Sequence, residues 1–555
     1  MASERNTKAD KTDLSFEIVS DSFPNLKESL KEYDRHCVAY ILHNKDKAYV
    51  GETSNLRSRF KDHQESKKKY GFNETKIILS GFFNKSAVYD IESRLINYMY
   101  ADSKFEVVNI KTNQSPHFYY QKEKYNTELF QKIWNDLRGH GIANRSIEEL
   151  ENSPLFKYSP FKEFSDEQIR VSKSVVEIVT RETLEKDIAF DGTESLKREF
   201  IEGRTRTIIR GGPGTGKTLL VVKLVHDLIR RHGVDQKKIA ICIPQSNLLK
   251  TFREMLKSAK LRVSVIKPVD LSRVKENEYD LLIVDETHRL KKFFNKQAKD
   301  LKHLEGGKHT ELDLADRASR HLVLMYDERQ RVRPADINPE DVSTIKKANA
   351  FVLSQQFRVK KGVDYLKFIS GILQIGEDKP RSTDLGEYEF RIIDSIQDLQ
   401  AQVKAKNDEV GLSRLSSGYY VEWISKSDPK KFDFAEEGLK AKWNTSIVKW
   451  VHSKSAIDEV GCIHTLQGED LNYAGVIIGD DLYLDPKDQK IKVRRDRYFD
   501  RNGTPILGTD SDDQLLTAHI KNIYYVLLTR GMLGTFVYVK DPALKHYLAS
   551  TLKAV

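Results

Sequence analysis

The chain has 555 residues, enough for about three to four domains. Hydrophobic residues make up 39% of the sequence and aromatic residues 10%, which predicts packed cores and excludes a largely disordered chain. The 92 Lys and Arg residues exceed the 82 Asp and Glu residues by ten, and this basic excess favours a polyanionic partner such as nucleic acid.

The sequence predicts a cytoplasmic protein. No apolar run approaches the roughly 18 residues that a membrane-spanning helix needs, so a membrane span is excluded. The N-terminal segment, MASERNTKADKTDLSFE, is polar and has no apolar stretch typical of a secretory signal. The three cysteines, Cys37, Cys242 and Cys462, are too few and too scattered for a disulfide framework or a structural zinc site, which favours a reducing compartment.

The first 113 residues predict a tail followed by a compact α+β domain. Residues 1–35 form the predicted polar tail, which runs into a short helix around residues 25–33. HCVAYILH, the turn NKDK and AYVGE then predict a β-hairpin. They are followed by a helix in NLRSRFKDHQ, a strand in KIILSGFF and an amphipathic helix in SAVYDIESRLINYMYA. We therefore expect a domain over residues 36–113.

The remaining sequence predicts two α/β domains behind a helical linker over residues 114–164. From residue 165 onwards, the apolar strands TRTIIR, KIAICIP, YDLLIVDE and RHLVLMYDE alternate with helical segments. This alternation predicts a parallel sheet covered by helices, which we place at residues 165–350. A second such region, with AGVIIG and TFVYVK as its clearest strands, is expected over residues 351–555. The predicted fold class is α/β and multidomain.

Residues 211–218, GGPGTGKT, match the phosphate-binding pattern G-x-x-x-x-G-K-[ST]. They follow a predicted strand and open a predicted helix, which is the context that the pattern requires. Gly211, Gly214 and Gly216 would let backbone N–H groups surround the phosphates of ATP. Lys217 would reach the β- and γ-phosphates, and Thr218 would hold Mg²⁺.

Two acidic residues end the apolar strand in YDLLIVDE. Beside a phosphate loop, Asp285 would hold Mg²⁺ and Glu286 would polarise the water that attacks the γ-phosphate. A strand that merely ends in a solvated acidic turn is the alternative, which the nearby phosphate loop disfavours.

Five further segments resemble the motifs of superfamily 1 helicases and keep their order. They are PFKEFSDEQ (160–168), LMYDERQ (324–330), QQFR (355–358), VGCIHTLQGEDLNYAGVIIGDDL (460–482) and NIYYVLLTRGMLGTFVYV (522–539). Among these helicases, the segments resemble most the Schlafen-type helicase-like ATPases of bacteria. The resemblance implies two RecA-like domains with ATP bound between them. It also implies nucleotide-binding roles for Gln168, Gln330, Gln467 and Gly468.

The resemblance further implies that two arginines from the second RecA-like domain act on the nucleotide. They are Arg358 and Arg530, the latter as an arginine finger. Cations that are delivered across a cleft stabilise phosphoryl transfer only when the cleft closes. We therefore expect ATP hydrolysis to be coupled to domain motion.

The N-terminal domain resembles the GIY-YIG endonucleases. Val38-Ala39-Tyr40 and Tyr49-Val50-Gly51 match their paired tripeptides, although Val38 stands where the family has glycine. The residue types at the six catalytic positions of the family are present in order, namely Tyr40, Tyr49, Arg59, His63, Glu92 and Asn109. By this resemblance the domain is a small α+β nuclease.

These residue types suit phosphodiester hydrolysis with one metal ion. Glu92 would bind Mg²⁺ or Mn²⁺ through hard oxygen ligands, and Arg59 would neutralise charge on the scissile phosphate. Tyr40, or His63 acting through it, would activate the attacking water. A half-buried tyrosine in a sheet and a solvated glutamate on a helix are the ordinary alternatives for such positions.

Two other positions and a basic segment complete the predicted nuclease surface. Tyr49 and Asn109 are expected to orient the phosphate and the backbone. Six Lys or Arg residues lie between residues 57 and 70, against Asp62 and Glu65, a balance that suits a phosphate backbone.

The sequence therefore predicts a metal-dependent DNA endonuclease coupled to an ATP-driven helicase or translocase. By resemblance, such fusions belong to bacterial defence against phage or foreign DNA. Two alternatives remain open. The substrate could be RNA, for example tRNA, because phosphate-directed arginines read neither base nor sugar, or the chain could be a nucleotide-gated binding protein with an inactive nuclease domain. Cutting both strands with one single-metal site would need two successive nicks or a homo-oligomer.

Overall fold

The structure is a computed structural model in which the following residues are described: 15–23, 33–63, 70–110, 118–188, 194–292, 310–359, 365–376, 385–436, 438–446, 450–500 and 510–553. Apart from Tyr33, the short helix that we predict around residues 25–33 lies outside these ranges. Among the described residues, no helix is both long enough and apolar enough to span a membrane.

A five-stranded sheet forms the N-terminal domain. Its strands are β1 (Glu17–Ser22), β2 (Val38–His43), β3 (Lys47–Thr53), β4 (Glu74–Leu79) and β5 (Glu106–Val107). They lie in the order β1-β4-β2-β3-β5, and all pairs are antiparallel except β3 with β5. The hairpin β2–β3 confirms the prediction from the apolar runs on either side of NKDK. Strand β1 lies within the predicted tail, and the sequence pattern missed it because an exposed edge strand has no buried alternation.

Two helices cover opposite faces of this sheet, α1 (Leu56–Asp62) and α2 (Lys85–Asp102). Successive side chains of a strand point to opposite faces. Tyr40 therefore packs with Phe60 on the α1 side, whereas Ile41 packs with Ile91 on the α2 side. Asparagines at residues 55 and 84 accept backbone hydrogen bonds at the two helix N-termini, which explains where these helices begin.

The segment predicted as a helical linker packs against the N-terminal domain. Its helices are α3 (Phe130–Gly139), which follows a π-helical turn, α4 (Ile147–Glu151) and α5 (Pro154–Lys157). Trp134 of α3 is fully buried in the same core as Leu95 of α2, and its indole N–H donates to the carbonyl of Arg145 at 3.0 Å. These helices therefore extend the core of the nuclease-like domain.

The first RecA-like domain follows. Its elements in chain order are α6 (Asp166–Val179), β6 (Thr180–Ile188), β7 (Glu194–Phe200), β8 (Thr205–Gly211), α7 (Lys217–His226), β9 (Ile239–Cys242), α8 (Ser246–Ser258), β10 (Ser264–Ile266), β11 (Tyr279–Val284), α9 (Glu311–Ala318), β12 (Ser319–Tyr326), α10 (Pro339–Ser343) and β13 (Asn349–Leu353). Six strands form a parallel sheet in the order β10-β9-β11-β12-β8-β13, and β6 and β7 form a separate antiparallel pair. This confirms the predicted parallel sheet.

The second RecA-like domain contains five parallel strands in the order β14-β22-β19-β15-β18. Its elements are α11 (Tyr365–Ile372), β14 (Glu389–Ile393), α12 (Ile396–Val410), β15 (Arg414–Ser417), β16 (Phe434–Glu436), β17 (Leu439–Ala441), β18 (Val460–Cys462), α13 (Ile463–Leu466), β19 (Leu471–Ile478), β20 (Leu482–Leu484), β21 (Ile491–Val493), α14 (Asp510–Leu528), β22 (Gly531–Val539) and α15 (Pro542–Lys553). In each RecA-like sheet the carboxyl ends of neighbouring strands meet at one edge, where open α/β sheets bind ligands.

Candidate functional site

The hydroxyl of Tyr40 is the centre of a polar cluster on the α1 face of the N-terminal sheet. It lies 2.8 Å from Nε2 of His63 and accepts a hydrogen bond from Nε of Arg59 at 3.3 Å. Arg59 and His63 lie one helical turn apart, so α1 presents both to the same hydroxyl. Burial raises the pKa of Tyr40 although Arg59 acts against the rise. A neutral phenol in contact with an imidazole can pass its proton to that imidazole.

Tyr49 and Asn109 lie at the β3 side of this cluster. The Tyr49 ring is 5.4 Å from the His63 ring and 6.3 Å from the Tyr40 ring. Asn109 accepts a hydrogen bond from the Val50 amide at 3.0 Å and donates to the Val50 carbonyl at 2.8 Å. Both polar ends of Asn109 therefore hold the backbone of β3, which carries Tyr49.

The two tripeptides differ in how strictly they need glycine. A Cβ at Gly51 would overlap the ring and hydroxyl of Tyr40, which lies directly opposite on β2. Val38, at the position where the resemblance calls for glycine, is fully buried in the core that also contains Tyr40. Glycine is thus required at position 51, whereas valine fills space at position 38.

Glu92 lies on α2 and is 5% exposed. Burial raises the pKa of Tyr40, and the negative charges of Glu92 and Glu52 raise it further. Glu52, which follows the second tripeptide directly, lies 2.5 Å from Nζ of Lys85. One or two carboxylates with waters and substrate phosphate are the usual protein contribution to a Mg²⁺ site. Within the described ranges no cluster of three or more acidic, His or Cys side chains could hold a metal. The donor set thus fits a hard cation that shares its ligands with water and substrate.

The basic segment predicted to face a phosphate backbone is only partly described. Arg57 forms an ion pair with Asp34 at 3.0 Å, and Arg59 contacts Tyr40. The three lysines at positions 67–69 lie outside the described residues.

The phosphate loop connects β8 to α7 and has the expected glycine geometry. Gly214 and Gly216 adopt left-handed backbone angles, with φ of 76° and 79°. A Cβ at Gly211 would lie 2.5 Å from the hydroxyl of Thr215. Nζ of Lys217 donates to the carbonyls of Gly211 and Gly212 at 2.6 and 3.0 Å, which places the ammonium inside the loop where a phosphate would meet it.

The two predicted Mg²⁺ ligands of the ATP site are in contact. The hydroxyl of Thr218 donates to Oδ2 of Asp285 at 2.8 Å. Burial and the adjacent Glu286 raise the pKa of Asp285 to about 6. A divalent cation held by this hydroxyl and carboxylate would neutralise the buried negative charge, so the residues fit Mg²⁺.

Glu286 has the environment of an ionised base. Burial acts to raise the pKa of Glu286, but His288, Lys217 and Arg530 together hold it at about 2. Its carboxylate lies 3.0 Å from Nε2 of His288. Its backbone is left-handed, with φ of 53°, a strained conformation for a residue with a side chain. This conformation directs the chain sharply away from the end of β11.

Both predicted arginines lie at the cleft, Arg530 in the second RecA-like domain and Arg358 in the segment between β13 of the first domain and α11 of the second. Arg530 is buried and donates to the side-chain oxygen of Gln330 at 3.2 Å, which joins the two domains directly. Arg358 donates to Oδ1 of Asp470 at 2.7 Å and to the carbonyl of Thr529 at 2.9 Å. These bonds use Nε and Nη1 of Arg358, whose side chain also lines the cavity between the domains.

The glutamines of the motifs bind protein groups around the cleft. Gln168 donates to the carbonyl of Thr215 at 3.0 Å and so holds the phosphate loop. The Gln467 side chain donates to the backbone carbonyl of Gln330 at 3.2 Å. Gly468, which follows it, has a left-handed φ of 86°. The predicted nucleotide-binding residues are thus brought together across the domain boundary.

A cavity of about 270 Å³ lies among these groups. Besides the predicted site residues, its lining includes Lys157 and Tyr158, which lie outside every motif, and Lys162, Glu163, Phe357 and Met532, which lie inside motif segments but were assigned no role. Phe357 is 47% exposed and offers an aromatic face to a nucleobase. Lys157, Tyr158 and Lys162 belong to the segment that was predicted as a linker, and only Lys162 falls within a motif, PFKEFSDEQ.

Models of two protein families match the chain. The model described as Schlafen group 3, DNA/RNA helicase domain matches residues 204–541, and that of the GIY-YIG catalytic domain matches residues 36–105. The uncharacterized protein YPL245W of Saccharomyces cerevisiae is 28% identical over 389 residues, which are 61% of this chain and 83% of that protein.

Two solved structures show a distant likeness. Dbp5 of S. cerevisiae, solved with RNA and ADP BeF3, has 13% identity and a TM-score of 0.34 over 74% of this chain and 92% of its own. The Pif1 helicase from Candida albicans has 10% identity and a TM-score of 0.27 over 70% of this chain and 99% of its own.

Proposed function

The chain belongs to the family of the Schlafen group 3 DNA/RNA helicase domain, and from this membership we propose that it is a metal-dependent DNA endonuclease whose cutting is governed by ATP hydrolysis. The GIY-YIG and helicase domains point to endonuclease and ATPase or helicase activity on nucleic acid. The observation that carries the proposal is the contact of Tyr40 with His63 and Arg59, on the same chain as an assembled nucleotide cleft.

In the proposed cleavage reaction, Tyr40 takes a proton from the attacking water and passes its own proton to His63. Arg59 neutralises the charge that develops on the scissile phosphate. A Mg²⁺ or Mn²⁺ ion held by Glu92 would polarise that phosphate as a Lewis acid. Asn109 keeps β3 in place, so that Tyr49 stays beside the reacting phosphate.

In the proposed ATPase reaction, Glu286 orients the water that attacks the γ-phosphate. Lys217, Arg358 and Arg530, which all line the cavity, stabilise the charge on the transferred phosphoryl group. Because Arg530 already contacts Gln330 across the domain boundary, hydrolysis is sensitive to how the two RecA-like domains meet.

We propose DNA as the substrate and defence against phage or foreign DNA as the setting, on the strength of the resemblance of the domain arrangement. RNA cleavage is the competing outcome, because the contacts above are directed to phosphate and read neither base nor sugar.

Replacing Glu92 with glutamine tests the proposed nuclease. Glu92→Gln keeps the shape of the side chain but removes the metal-binding charge, so we expect cleavage of plasmid DNA in Mg²⁺ to fall by about 1000-fold or more. The exposed Glu128→Gln on the same domain is the matched control and should cut like the wild type. Equal cutting by Glu92→Gln and wild type would refute the metal role, and cutting of matched RNA but not DNA would refute the substrate assignment.

A further inference from the structure

A short segment ahead of α6, which we call the bridge (residues 157–162), connects the nuclease domain with the nucleotide cleft. On one side it is bonded to α2. The Ser159 hydroxyl donates to Oδ1 of Asn97 at 2.7 Å, and Nδ2 of Asn97 donates to the carbonyl of Phe161 at 2.9 Å. Phe161 is 3% exposed and belongs to the core of the nuclease domain. The bridge is therefore fixed to the helix that carries Glu92.

On its other side the bridge is bonded to the second RecA-like domain. The Tyr158 hydroxyl donates to the carbonyl of Gly468 at 3.0 Å, and Nζ of Lys157 donates to the carbonyl of Asp470 at 3.3 Å. The carboxylate of Asp470 also accepts a hydrogen bond from Arg358, which lines the cavity. A change at this motif therefore changes the groups that bond to the bridge.

The bridge also brings positive charge to the cavity. Lys157 and Lys162 both line it. Nζ of Lys162 lies 5.0 Å from the centre of the Phe156 ring, and the carboxylates of Asp470 and Glu151 act on its charge. Burial, and then the charge of Lys157, lower the pKa of Lys162 to about 8. The cavity lining as a whole contains five Lys or Arg side chains against three Asp or Glu side chains, and this positive excess favours a bound polyanion.

We propose that the bridge is a third wall of the nucleotide site, in which Lys157 and Lys162 bind the anionic part of the nucleoside triphosphate while Tyr158 and Asn97 transmit its binding to α2. The inference rests on the proposed ATPase function and adds residues that come from the nuclease side of the chain. Because α2 also carries Glu92, the position of the bridge bears directly on the proposed nuclease site.

Replacing Lys162 with methionine tests the binding step in the full-length chain. Lys162→Met keeps the aliphatic stem over Phe156 and removes the charge. We expect the Kd of a fluorescent, non-hydrolysable ATP analogue to rise about tenfold, as for one lost charge-assisted contact. Without nucleotide the Tm should equal or exceed that of the wild type, because a desolvated cation is removed. Lys162→Arg should keep most of the affinity, and the exposed Lys237→Met should bind like the wild type.

The combination of affinity and Tm separates a binding role from a structural one. A lower Tm with unchanged affinity for the analogue would mean that Lys162 only supports the fold, and would overturn the inference. A higher Kd for the analogue, together with a Tm no lower than that of the wild type, supports the inference.

Replacing Tyr158 with phenylalanine tests the transmission step. Tyr158→Phe removes only the hydroxyl that donates to Gly468. We expect the ratio of DNA cleavage rates with and without the ATP analogue to move towards one. A ratio equal to that of the wild type would show that the bridge does not transmit nucleotide binding.

Lys217→Ala separates failure of this inference from failure of the proposed function. If Lys217→Ala abolishes binding of the analogue while Lys162→Met binds it like the wild type, the bridge is not part of the nucleotide site although the ATPase assignment stands. If Lys217→Ala still binds the analogue tightly, the phosphate loop is not the nucleotide site and the proposed function itself is wrong.

Discussion

The position of the Tyr40 side chain depends on the residue that leaves space for its ring as well as on the residues that form hydrogen bonds with its hydroxyl. Gly51 lies opposite Tyr40 across the β2–β3 hairpin, and any side chain there would occupy the place of the phenol ring. His63 and Arg59 then fix the direction of the hydroxyl. The proposed proton relay thus depends on steric room that only glycine provides.

Replacing Gly51 with alanine should disable the nuclease. The added methyl group displaces the Tyr40 ring, and a displacement of about 1 Å at a reacting group costs about 100-fold in rate. Cleavage of plasmid DNA measures the effect. Val38→Gly is the informative comparison, because restoring the glycine of the GIY-YIG pattern removes a buried side chain and should lower stability without raising the cleavage rate. Faster cutting by Val38→Gly would contradict this account.

A buried carboxyl in the second RecA-like domain makes stability depend on pH. Oδ1 of Asp481 accepts a hydrogen bond from the Tyr524 hydroxyl at 2.7 Å, and burial raises the pKa of Asp481 to about 7. The folded state therefore keeps a proton that the unfolded chain loses near pH 4. The contribution of this group to the free energy of unfolding is complete below about pH 4 and is lost as the pH rises through about 7.

Replacing Asp481 with asparagine should remove this dependence, because the amide still accepts the bond from Tyr524 and carries no charge. We expect the urea midpoint of Asp481→Asn to exceed that of the wild type at about pH 8, with a smaller difference at about pH 5. The same difference at both pH values would show that Asp481 does not titrate between them.

At the scale of elements, the sequence predicts best those that are buried on both faces. β8, β11 and β12 are apolar runs that end in motifs, and they form the sheet edge where the phosphate loop and Asp285 meet. β1 was missed because it has one neighbour and little burial. The polar contacts of the bridge could not be predicted, because those with Asn97 join residues more than 60 positions apart and those with Gly468 and Asp470 join residues more than 300 positions apart.

The packing of helix α3 could not be predicted either. Its sequence pattern predicts a helix but does not show which surface of the protein that helix packs against. Trp134→Ala empties a fully buried site in the nuclease core, and truncations of this kind cost about 3–5 kcal/mol. We expect loss of DNA cleavage with a smaller loss of ATP hydrolysis, because Phe161 of the bridge packs in the same core, as measured on the same preparation. The exposed Glu128→Ala on the preceding turn should leave both activities unchanged. Normal cleavage by Trp134→Ala would show that the segment is only a linker.

At the scale of the molecule, three parts of the chain meet around one cavity. The phosphate loop comes from the first RecA-like domain, Arg530 comes from the second, and the bridge comes from the nuclease side. Such a site is complete only when all three parts are in place, so nucleotide binding favours one arrangement of the whole molecule over others. Glu92 of the proposed nuclease site lies on α2, which is bonded to this assembly through Asn97.

The central claim is that ATP bound at the phosphate loop governs cutting by the nuclease domain. The most direct measurement is the rate of plasmid cleavage in Mg²⁺ with and without ATP, for the wild type and for Lys217→Ala. We predict that ATP changes the rate or the sites of cutting in the wild type and has no effect in Lys217→Ala. Cutting that is the same in both proteins with and without ATP would contradict the account, because the two domains would then act independently.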